Sequence, residues 1–277
     1  MDTNWLESLL LGLVSGITEF MPVSSQAHEL LLLRLFGVDQ AHPLMLLFIH
    51  IGALTALIFS SAAQLKRMQR EYRYAKLPAR RRRRQPDRQI VLDMALLKGA
   101  ILPMTLGMLF YQRAQNAAGK LHIAALLLFL NGLLLYIPQY LPRGNKDSRH
   151  MSKLDSLLFG IVTAVSIFPG LSRTGLTGST AAARGADTSQ AYKWALFLSI
   201  PAIIIMLCFD VFTVFMTGFD GIGFLFIVQC LLSAVAAYFG ALASITFMRS
   251  LTAHSGFAGF SYYCWGASLF MFILYLI

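Results

Sequence analysis

The chain has 277 residues, of which 57% are hydrophobic and only 13% are charged, and its mean hydropathy is +0.63. A soluble domain carries about 25% charged residues, so this composition excludes an ordinary soluble protein. The three cysteines lie scattered in apolar stretches, with neither the spacing of a metal site nor the even count of a disulfide framework. The composition instead predicts an integral membrane protein.

Long apolar runs, taken in chain order, predict an all-α protein with about six transmembrane helices and two shorter broken segments. A helix needs about 20 apolar residues to cross the bilayer. The N-terminal run lacks the basic segment and cleavage site of a signal peptide, so we expect it to remain in the protein. The runs are 5–20, 30–36, 43–63, 90–111, 121–141, 154–168, 192–216, 222–248 and 257–277.

The positive charge is concentrated in one segment. Residues 66–88 contain eleven Lys or Arg against two acidic residues, and so carry +9 of the total net charge of +10. Basic loops of membrane proteins stay in the cytoplasm, and they also attract anionic lipid head groups. Residues 64–90 are therefore predicted to form a basic cytoplasmic loop. No nucleic-acid-binding motif accompanies the charge, so no nucleic-acid partner is expected.

This loop orients the predicted helices. Alternating the spans from it places both termini outside, together with the loop that carries Asp220. The cations of residues 142–153, beginning with Arg143, then lie inside, in agreement with the same charge rule.

Two polar interruptions of the apolar runs resemble each other at a spacing of 148 residues. Gly12 aligns with Gly160, Phe20 with Phe168 and Ser24 with Ser172. We interpret this as an inverted repeat, with halves 1–141 and 154–277 in a single membrane domain of residues 1–277. Chance likeness between two apolar segments is the alternative. Interrupted helices in such repeats are typical of a binding site near the membrane centre.

The first interruption combines helix-breaking and ionisable residues. Pro22 ends a helix, and Ser24 or Ser25 can cap the next one, whose free N–H groups favour an anion. Glu19 and His28 flank this helix start. Ionisable groups at membrane depth are costly and therefore often functional, although a cap partner and a packed histidine remain alternatives.

The second interruption, at residues 168–179, contains three glycines, four hydroxyl groups and Arg173. Glycines allow a ligand to approach the backbone, and the planar guanidinium matches phosphate oxygens. The two interruptions together favour phosphoryl chemistry or phosphate binding. Glu29, which follows His28, is expected to face the membrane interface.

The motifs E-F-M-P-V-S-S-x-x-H at 19–28 and P-G-L-S-R-T-G-x-T at 169–177 resemble those of the bacterial undecaprenyl-diphosphate phosphatase (bacitracin-resistance) family. The likeness extends to residues 51–53, 197–201 and 257–263, and so covers nearly the whole chain. It implies an inverted-repeat membrane protein with two re-entrant helical hairpins. It also implies a plasma-membrane enzyme that hydrolyses undecaprenyl diphosphate on the outer side, recycling the lipid carrier of peptidoglycan synthesis.

The resemblance also implies roles for individual residues. Ser25 becomes the nucleophile or its supporting hydroxyl, and Glu19 and His28 perform acid–base work. Glu19 becomes the ligand of a divalent cation such as Mg²⁺ or Ca²⁺. The diphosphate-binding residues become Ser24, Gly170, Ser172, Arg173, Thr174 and Thr177. The expected partners are a polyprenyl diphosphate, membrane lipids and a second copy of the chain in a homodimer.

The chain departs from the family pattern at several positions. Ser15 stands where a second glutamate is usual, Leu46 where an acidic residue is usual, His50 replaces a glutamine, and Cys264 replaces an arginine. Loss of a carboxylate weakens a site for a hard cation. Two alternatives therefore stay open beside hydrolysis: a polyprenyl-phosphate transporter (flippase), and a lipid-binding resistance protein without catalysis.

Overall fold

The structure is a computed structural model that describes residues 4–142, 144–218 and 222–277, so Arg143 and Asp220 lie outside the described residues. The described chain is helical and contains no β-strand. Its α-helices are α1 (Trp5–Glu19), α2 (Ser25–Phe36), α3 (Pro43–Ala75), α4 (Arg88–Met108), α5 (Tyr111–Ala118), α6 (Leu121–Tyr136), α7 (Lys153–Val165), α8 (Arg173–Ala183), α9 (Thr188–Thr217), α10 (Phe224–Thr252) and α11 (Gly259–Leu276).

Six helical segments are long and apolar enough to cross a membrane: α3, α4, α6 together with the 3₁₀ turn that extends it to Tyr140, α9, α10 and α11. Their number and their all-helical character confirm the prediction of a polytopic α-helical membrane protein. Large apolar side chains such as Phe59, Leu102 and Phe239 are exposed along these helices. Exposed apolar surface of this kind suits contact with lipid hydrocarbon.

The basic segment contains more helix than predicted. Helix α3 continues to Ala75, because the Arg, Lys, Gln and Glu residues that follow its apolar part are good helix formers. Helix α4 begins at Arg88, where the Asp87 side chain accepts hydrogen bonds from Gln89 N and Ile90 N (3.1 and 3.3 Å). The boundaries 64–90 were therefore too wide.

An arginine of this segment caps the end of α3. Arg82 donates from Nη2 to the carbonyl of Ala75 (2.6 Å) and from Nε to that of Leu77 (2.8 Å). These carbonyls have no partner within the helix, and a cation there also complements the helix dipole. Arg84 and Glu71 form an ion pair beside it.

The two polar interruptions form two helical hairpins, α1–α2 and α7–α8. Their first helices begin with the same reciprocal cap, made by Asn4 with Glu7 and, 148 residues later, by Ser152 with Asp155. At 1.5 Å per residue, α1 and α7 are about 22 and 20 Å long. Both are too short to cross about 30 Å of hydrocarbon, as expected of helices that enter a membrane and turn back.

The two hairpins enter the bundle from opposite ends. Helix α1 runs parallel to α10, which begins at the end away from the basic segment, and Gly12 and Gly16 lie against Ser233 and Ala237. Helix α7 runs parallel to α4, which begins at the basic segment. Helix α3 packs against α9, and helix α6 packs against α11. These two pairs surround the hairpin tips. This arrangement is that of an inverted repeat, while the division into 1–141 and 154–277 stays a prediction.

Glycines at equivalent positions allow both short helices to approach their neighbours. A Cβ atom on Gly12 would lie 2.2 Å from the Ser233 carbonyl oxygen, and one on Gly160 would lie 2.3 Å from that of Ala100. Close backbone contact of this kind is the usual use of small residues between membrane helices.

We expect Gly12→Ala to destabilise the protein, because α1 must move away from α10 to make room for the methyl group. Overpacking of this kind typically costs about 1–3 kcal/mol. The matched control is Gly266→Ala, since Gly266 also lies within a helix but has open space around its Cα. Thermal unfolding in detergent should show a lower Tm for Gly12→Ala only. Equal Tm values for the two variants would contradict the close packing.

Candidate active site at the hairpin tips

The tips of the two hairpins meet inside the bundle, and their polar side chains join the two turns. Gly170 N donates to Ser24 Oγ (3.0 Å), while the hydroxyls of Ser172 and Thr174 donate to the Met21 carbonyl (3.2 and 3.0 Å). Ser24 and Gly170 both adopt positive φ angles (65° and 107°). The turns therefore hold a specific backbone shape through contacts with each other.

Asn131 of α6 hydrogen-bonds to both turns at the place where the hairpin tips meet, which we call the junction. Its Nδ2 donates to the Pro22 carbonyl (3.0 Å), and its Oδ1 accepts from Ser172 N (2.9 Å). The side chain is fully buried, and Cys264 packs against it through a 3.4 Å contact from Asn131 Nδ2 to Cys264 Sγ. Sequence reasoning missed Asn131, although a lone asparagine inside the apolar run 121–141 was a usable signal.

Each tip also starts a helix that points its N-terminus into the junction. Ser24 precedes α2 and Ser172 precedes α8, where Ser172 Oγ accepts from Gly175 N (3.1 Å). Helix N-termini carry partial positive charge and unpaired N–H groups. Two of them directed at one place make a site suited to a phosphate.

Glu19 connects the two predicted key residues. Its Oε2 accepts a hydrogen bond from Ser25 Oγ (2.5 Å), and its Oε1 accepts from Arg173 Nη1 (3.0 Å). All three residues are at least largely buried. One carboxylate group thus holds Ser25 of the first hairpin and Arg173 of the second. The structure brings these three predicted site residues together.

The Arg173 guanidinium keeps donor capacity for a ligand. Among the described residues, its Nε is buried without a hydrogen-bond partner, and its Nη2 has only the weakly accepting sulfur of Met206. A buried unsatisfied donor is costly. Phosphate oxygens would satisfy both groups with the forked geometry that arginine prefers.

The remaining predicted phosphate-binding residues have structural partners. The hydroxyls of Ser24, Ser172 and Thr174 join the tips, as described above. Thr177 is fully buried one turn further along α8, where its hydroxyl contacts that of Thr163 (2.9 Å). The junction encloses a cavity of about 10 Å³, about the room of one water molecule. Binding of a phosphate therefore requires these side chains to move, and their role as ligands stays a prediction.

His28 faces away from the carboxylate. Its Nδ1 lies 2.8 Å from the Ser24 carbonyl and its Nε2 lies 2.8 Å from the Tyr263 hydroxyl, with the two rings stacked. Both ring nitrogens therefore have partners, Nδ1 in the turn before α2 and Nε2 on α11. The structure does not bring His28 to Glu19, and its predicted acid–base role would require the Tyr263 contact to break.

A larger cavity of about 540 Å³ lies next to the junction and opens at the end opposite the basic segment. Gln26 lines both this cavity and the small one. Glu29 lies on its wall and is only 8% exposed, so the expectation that it faces the membrane interface is wrong. The first turn of α2 rotates Glu29 inward, onto the cavity wall that also carries His50 and Asp210.

The expected divalent cation finds no ready-made site among the described residues. No group of three or more His, Cys, Asp or Glu side chains there is arranged to hold a metal ion. Both oxygens of Glu19 already bind Ser25 and Arg173. Since a hard cation prefers several oxygen ligands, no chemical step is assigned to a metal here.

Fold and site together define a polytopic membrane protein with a centre of serine, carboxylate and arginine side chains between two helical hairpins. A family model described as "Bacitracin resistance protein BacA" matches residues 8–270, and the chain belongs to this family. A protein of Methanobrevibacter smithii named undecaprenyl-diphosphatase is 29% identical, over 97% of this chain and 96% of that protein.

Two further relatives also match nearly the whole chain at low identity. A protein of Desulfatibacillum aliphaticivorans named undecaprenyl-diphosphatase is 27% identical, over 95% of each chain. One of Bacillus cereus named undecaprenyl-diphosphatase 3 is 29% identical, over 98% of this chain and 97% of that protein. The similarity is low in identity and nearly complete in length, which confirms the family resemblance predicted from the motifs.

We expect Arg173→Lys to weaken binding of a lipid diphosphate by about tenfold or more, although the charge is kept. Lysine lacks the forked donors that match phosphate oxygens, and one charge-assisted hydrogen bond contributes about 1.5–3 kcal/mol. The control is Arg184→Lys, because Arg184 pairs with Asp155 (2.5 Å) near the basic end, away from the junction. Binding measured in detergent should distinguish them, and equal affinities would contradict the assignment of Arg173.

Proposed function

We propose that this protein hydrolyses undecaprenyl diphosphate to undecaprenyl phosphate and inorganic phosphate, with Ser25 as nucleophile and Glu19 as its base. The single observation that carries the proposal is the hydrogen bond from Ser25 Oγ to Glu19 Oε2 (2.5 Å), opposite Arg173 on the same carboxylate. A serine next to a base is the usual arrangement of an activated nucleophile. The names of the relatives support the substrate.

Arg173 couples substrate binding to activation of Ser25. In this structure the Arg173 guanidinium is bound to Glu19 Oε1 (3.0 Å). A terminal phosphate competes for the guanidinium, whose unpaired Nε adds a second donor. Once Arg173 binds the phosphate, Glu19 is free to accept the proton of Ser25.

The first chemical step then follows from this geometry. Glu19 accepts the proton of Ser25 Oγ, the Oγ–phosphorus bond forms, and the bond from phosphorus to the bridging oxygen breaks. Undecaprenyl phosphate leaves with the electron pair. The N-termini of α2 and α8, together with Arg173, stabilise the charge on the transferred phosphoryl group.

The sequence left two alternatives to hydrolysis open: a transporter of polyprenyl phosphate with the same fold, and a lipid-binding resistance protein without catalysis. The family and the names of the relatives favour hydrolysis, and no observation favours the transporter. The homodimer and the divalent cation stay predictions.

We expect Ser25→Ala and Glu19→Gln to abolish phosphate release while lipid binding remains. Loss of a general base typically lowers the rate about 10²–10⁴-fold, and loss of the nucleophile should lower it further. Glu19→Gln also removes a negative charge next to the phosphate, so affinity should be unchanged or higher. Matched controls are Ser60→Ala and Glu7→Gln, whose side chains lie at the two ends of the bundle.

The measurement is release of inorganic phosphate by purified protein, with lipid affinity measured in parallel. Full activity of either site variant would contradict the mechanism. A wild-type protein that binds the lipid but releases no phosphate would instead favour the transporter, which lipid movement in sealed vesicles would then test.

We further propose that the protein lies in the bacterial plasma membrane with its site reached from the outside. The support is the position of the 540 Å³ cavity, which opens opposite the basic segment, together with the retention of basic segments in the cytoplasm.

Labelling of intact cells with a membrane-impermeant maleimide tests this orientation in a Cys208→Ser background, since Cys208 is the exposed native cysteine of the described chain. Asn116→Cys, near the cavity mouth, should react at once, and Arg83→Cys only after lysis. The reverse pattern would contradict the proposed orientation.

A further inference from the structure

A buried acid–base pair lies on the wall of the larger cavity, outside the residues used so far. His50 Nδ1 on α3 contacts Asp210 Oδ2 on α9 at 2.6 Å, and the side chains are only 4% and 9% exposed. Both residues lie well inside membrane-spanning helices. Ionisable groups at such depth are costly, and they usually mark a functional path.

The pair leaves one ring nitrogen of His50 available. Asp210 occupies Nδ1, while Nε2 makes no hydrogen bond within residues 4–142, 144–218 or 222–277. His50 and Asp210 both line the 540 Å³ cavity. A carboxylate that holds one imidazole nitrogen fixes the orientation of the ring and directs the other nitrogen at a reactant.

The cavity wall links this pair to the hairpin junction. Glu29 of α2 and Tyr111 of α5 line the same cavity as His50 and Asp210. Gln26, which lines both this cavity and the small one at the junction, donates from Nε2 to the Tyr111 hydroxyl (3.2 Å). The pair therefore lies in the cavity that adjoins the site, on the side from which water in the open cavity arrives.

We propose that His50, oriented by Asp210, is the proton acceptor for the water molecule that hydrolyses the phosphorylated Ser25. The proposal rests on the function proposed above, because it assigns the second half of that reaction. His50 is the imidazole available for this step, since both nitrogens of His28 are bound to Ser24 and Tyr263.

The step balances as follows. Water gives a proton to His50 Nε2 while its oxygen forms a bond to phosphorus, and the Ser25 Oγ–phosphorus bond breaks. Ser25 Oγ takes back the proton that Glu19 accepted in the first step, and the proton on His50 passes to water in the cavity. Asp210 and Glu29 stabilise the imidazolium that forms transiently.

This assignment separates the two half-reactions in a measurable way. With a substrate labelled in the terminal phosphate, His50→Gln should still phosphorylate Ser25 and release lipid monophosphate in one rapid burst. Steady-state phosphate release should fall about 10²–10⁴-fold, the usual effect of losing a general base. Acid quenching followed by mass spectrometry should show labelled Ser25 accumulating in this variant and not in the wild type.

Asp210 is a positioning residue, so its variant needs a readout that a merely structural role would not change. Asp210→Asn should also accumulate phosphorylated Ser25, at an intermediate level. His50→Ala should regain part of its steady-state rate when free imidazole is added. The control is His254→Gln, because His254 is exposed beyond α10 and far from the junction.

Three outcomes would overturn the proposal. Wild-type turnover by His50→Gln without accumulation of phosphorylated Ser25 would show that another group accepts the proton. A folded His50→Gln that binds lipid but shows no burst would place His50 in the first step. Hydrolysis by the wild type without any phosphorylated Ser25, including in quenched single turnovers, would reject the serine mechanism and this step with it.

Discussion

Glu19 is the residue on which the site depends, because its one carboxylate binds across the junction between two separately folded hairpins. Ser25 donates to one oxygen from the first hairpin, and Arg173 donates to the other from the second. Removing one member of a buried ion pair typically costs about 3–5 kcal/mol, since the partner charge is left uncompensated. In the proposed mechanism an anionic substrate replaces Glu19 as the partner of Arg173. The same ion pair therefore stabilises the site before binding and frees Glu19 for Ser25 when the substrate binds.

The rest of the fold brings those three side chains to the same depth. Gly12 and Gly160 let the short helices α1 and α7 pack closely against α10 and α4. Asn131 then ties the two tips together, with one hydrogen bond to each. Because the hairpins enter from opposite ends, two helix N-termini converge on one place. A single positive helix end is weak, but two such ends beside one arginine concentrate positive charge at the junction, as the proposed phosphate binding requires.

Much of this arrangement was predictable, because polar and ionisable residues are conspicuous in apolar sequence. Glu19, Ser25 and Arg173 stand in helix-breaking motifs, and the 148-residue spacing predicts that the two hairpins are related. Helix ends were less predictable: α3 continues past the membrane, since its basic residues favour a helix as much as a loop.

The errors concern direction and pairing, which depend on how helices rotate against each other. Glu29 follows His28 by one residue, yet Glu29 points into the cavity while His28 points at Tyr263. The contact of His50 with Asp210 joins residues 160 positions apart. No local pattern predicts such a contact. The role of His50, which departs from the family pattern, therefore could not be predicted from the sequence.

The most direct test is a structure of the protein with orthovanadate, which mimics a phosphoryl group during transfer. We expect vanadium bonded to Ser25 Oγ between the N-termini of α2 and α8. Arg173 should have moved from Glu19 to the vanadate oxygens, so that Glu19 binds no guanidinium. Vanadate bound elsewhere, with the Glu19–Arg173 pair intact and Ser25 unmodified, would contradict the central claim that this carboxylate links phosphate binding to the nucleophile.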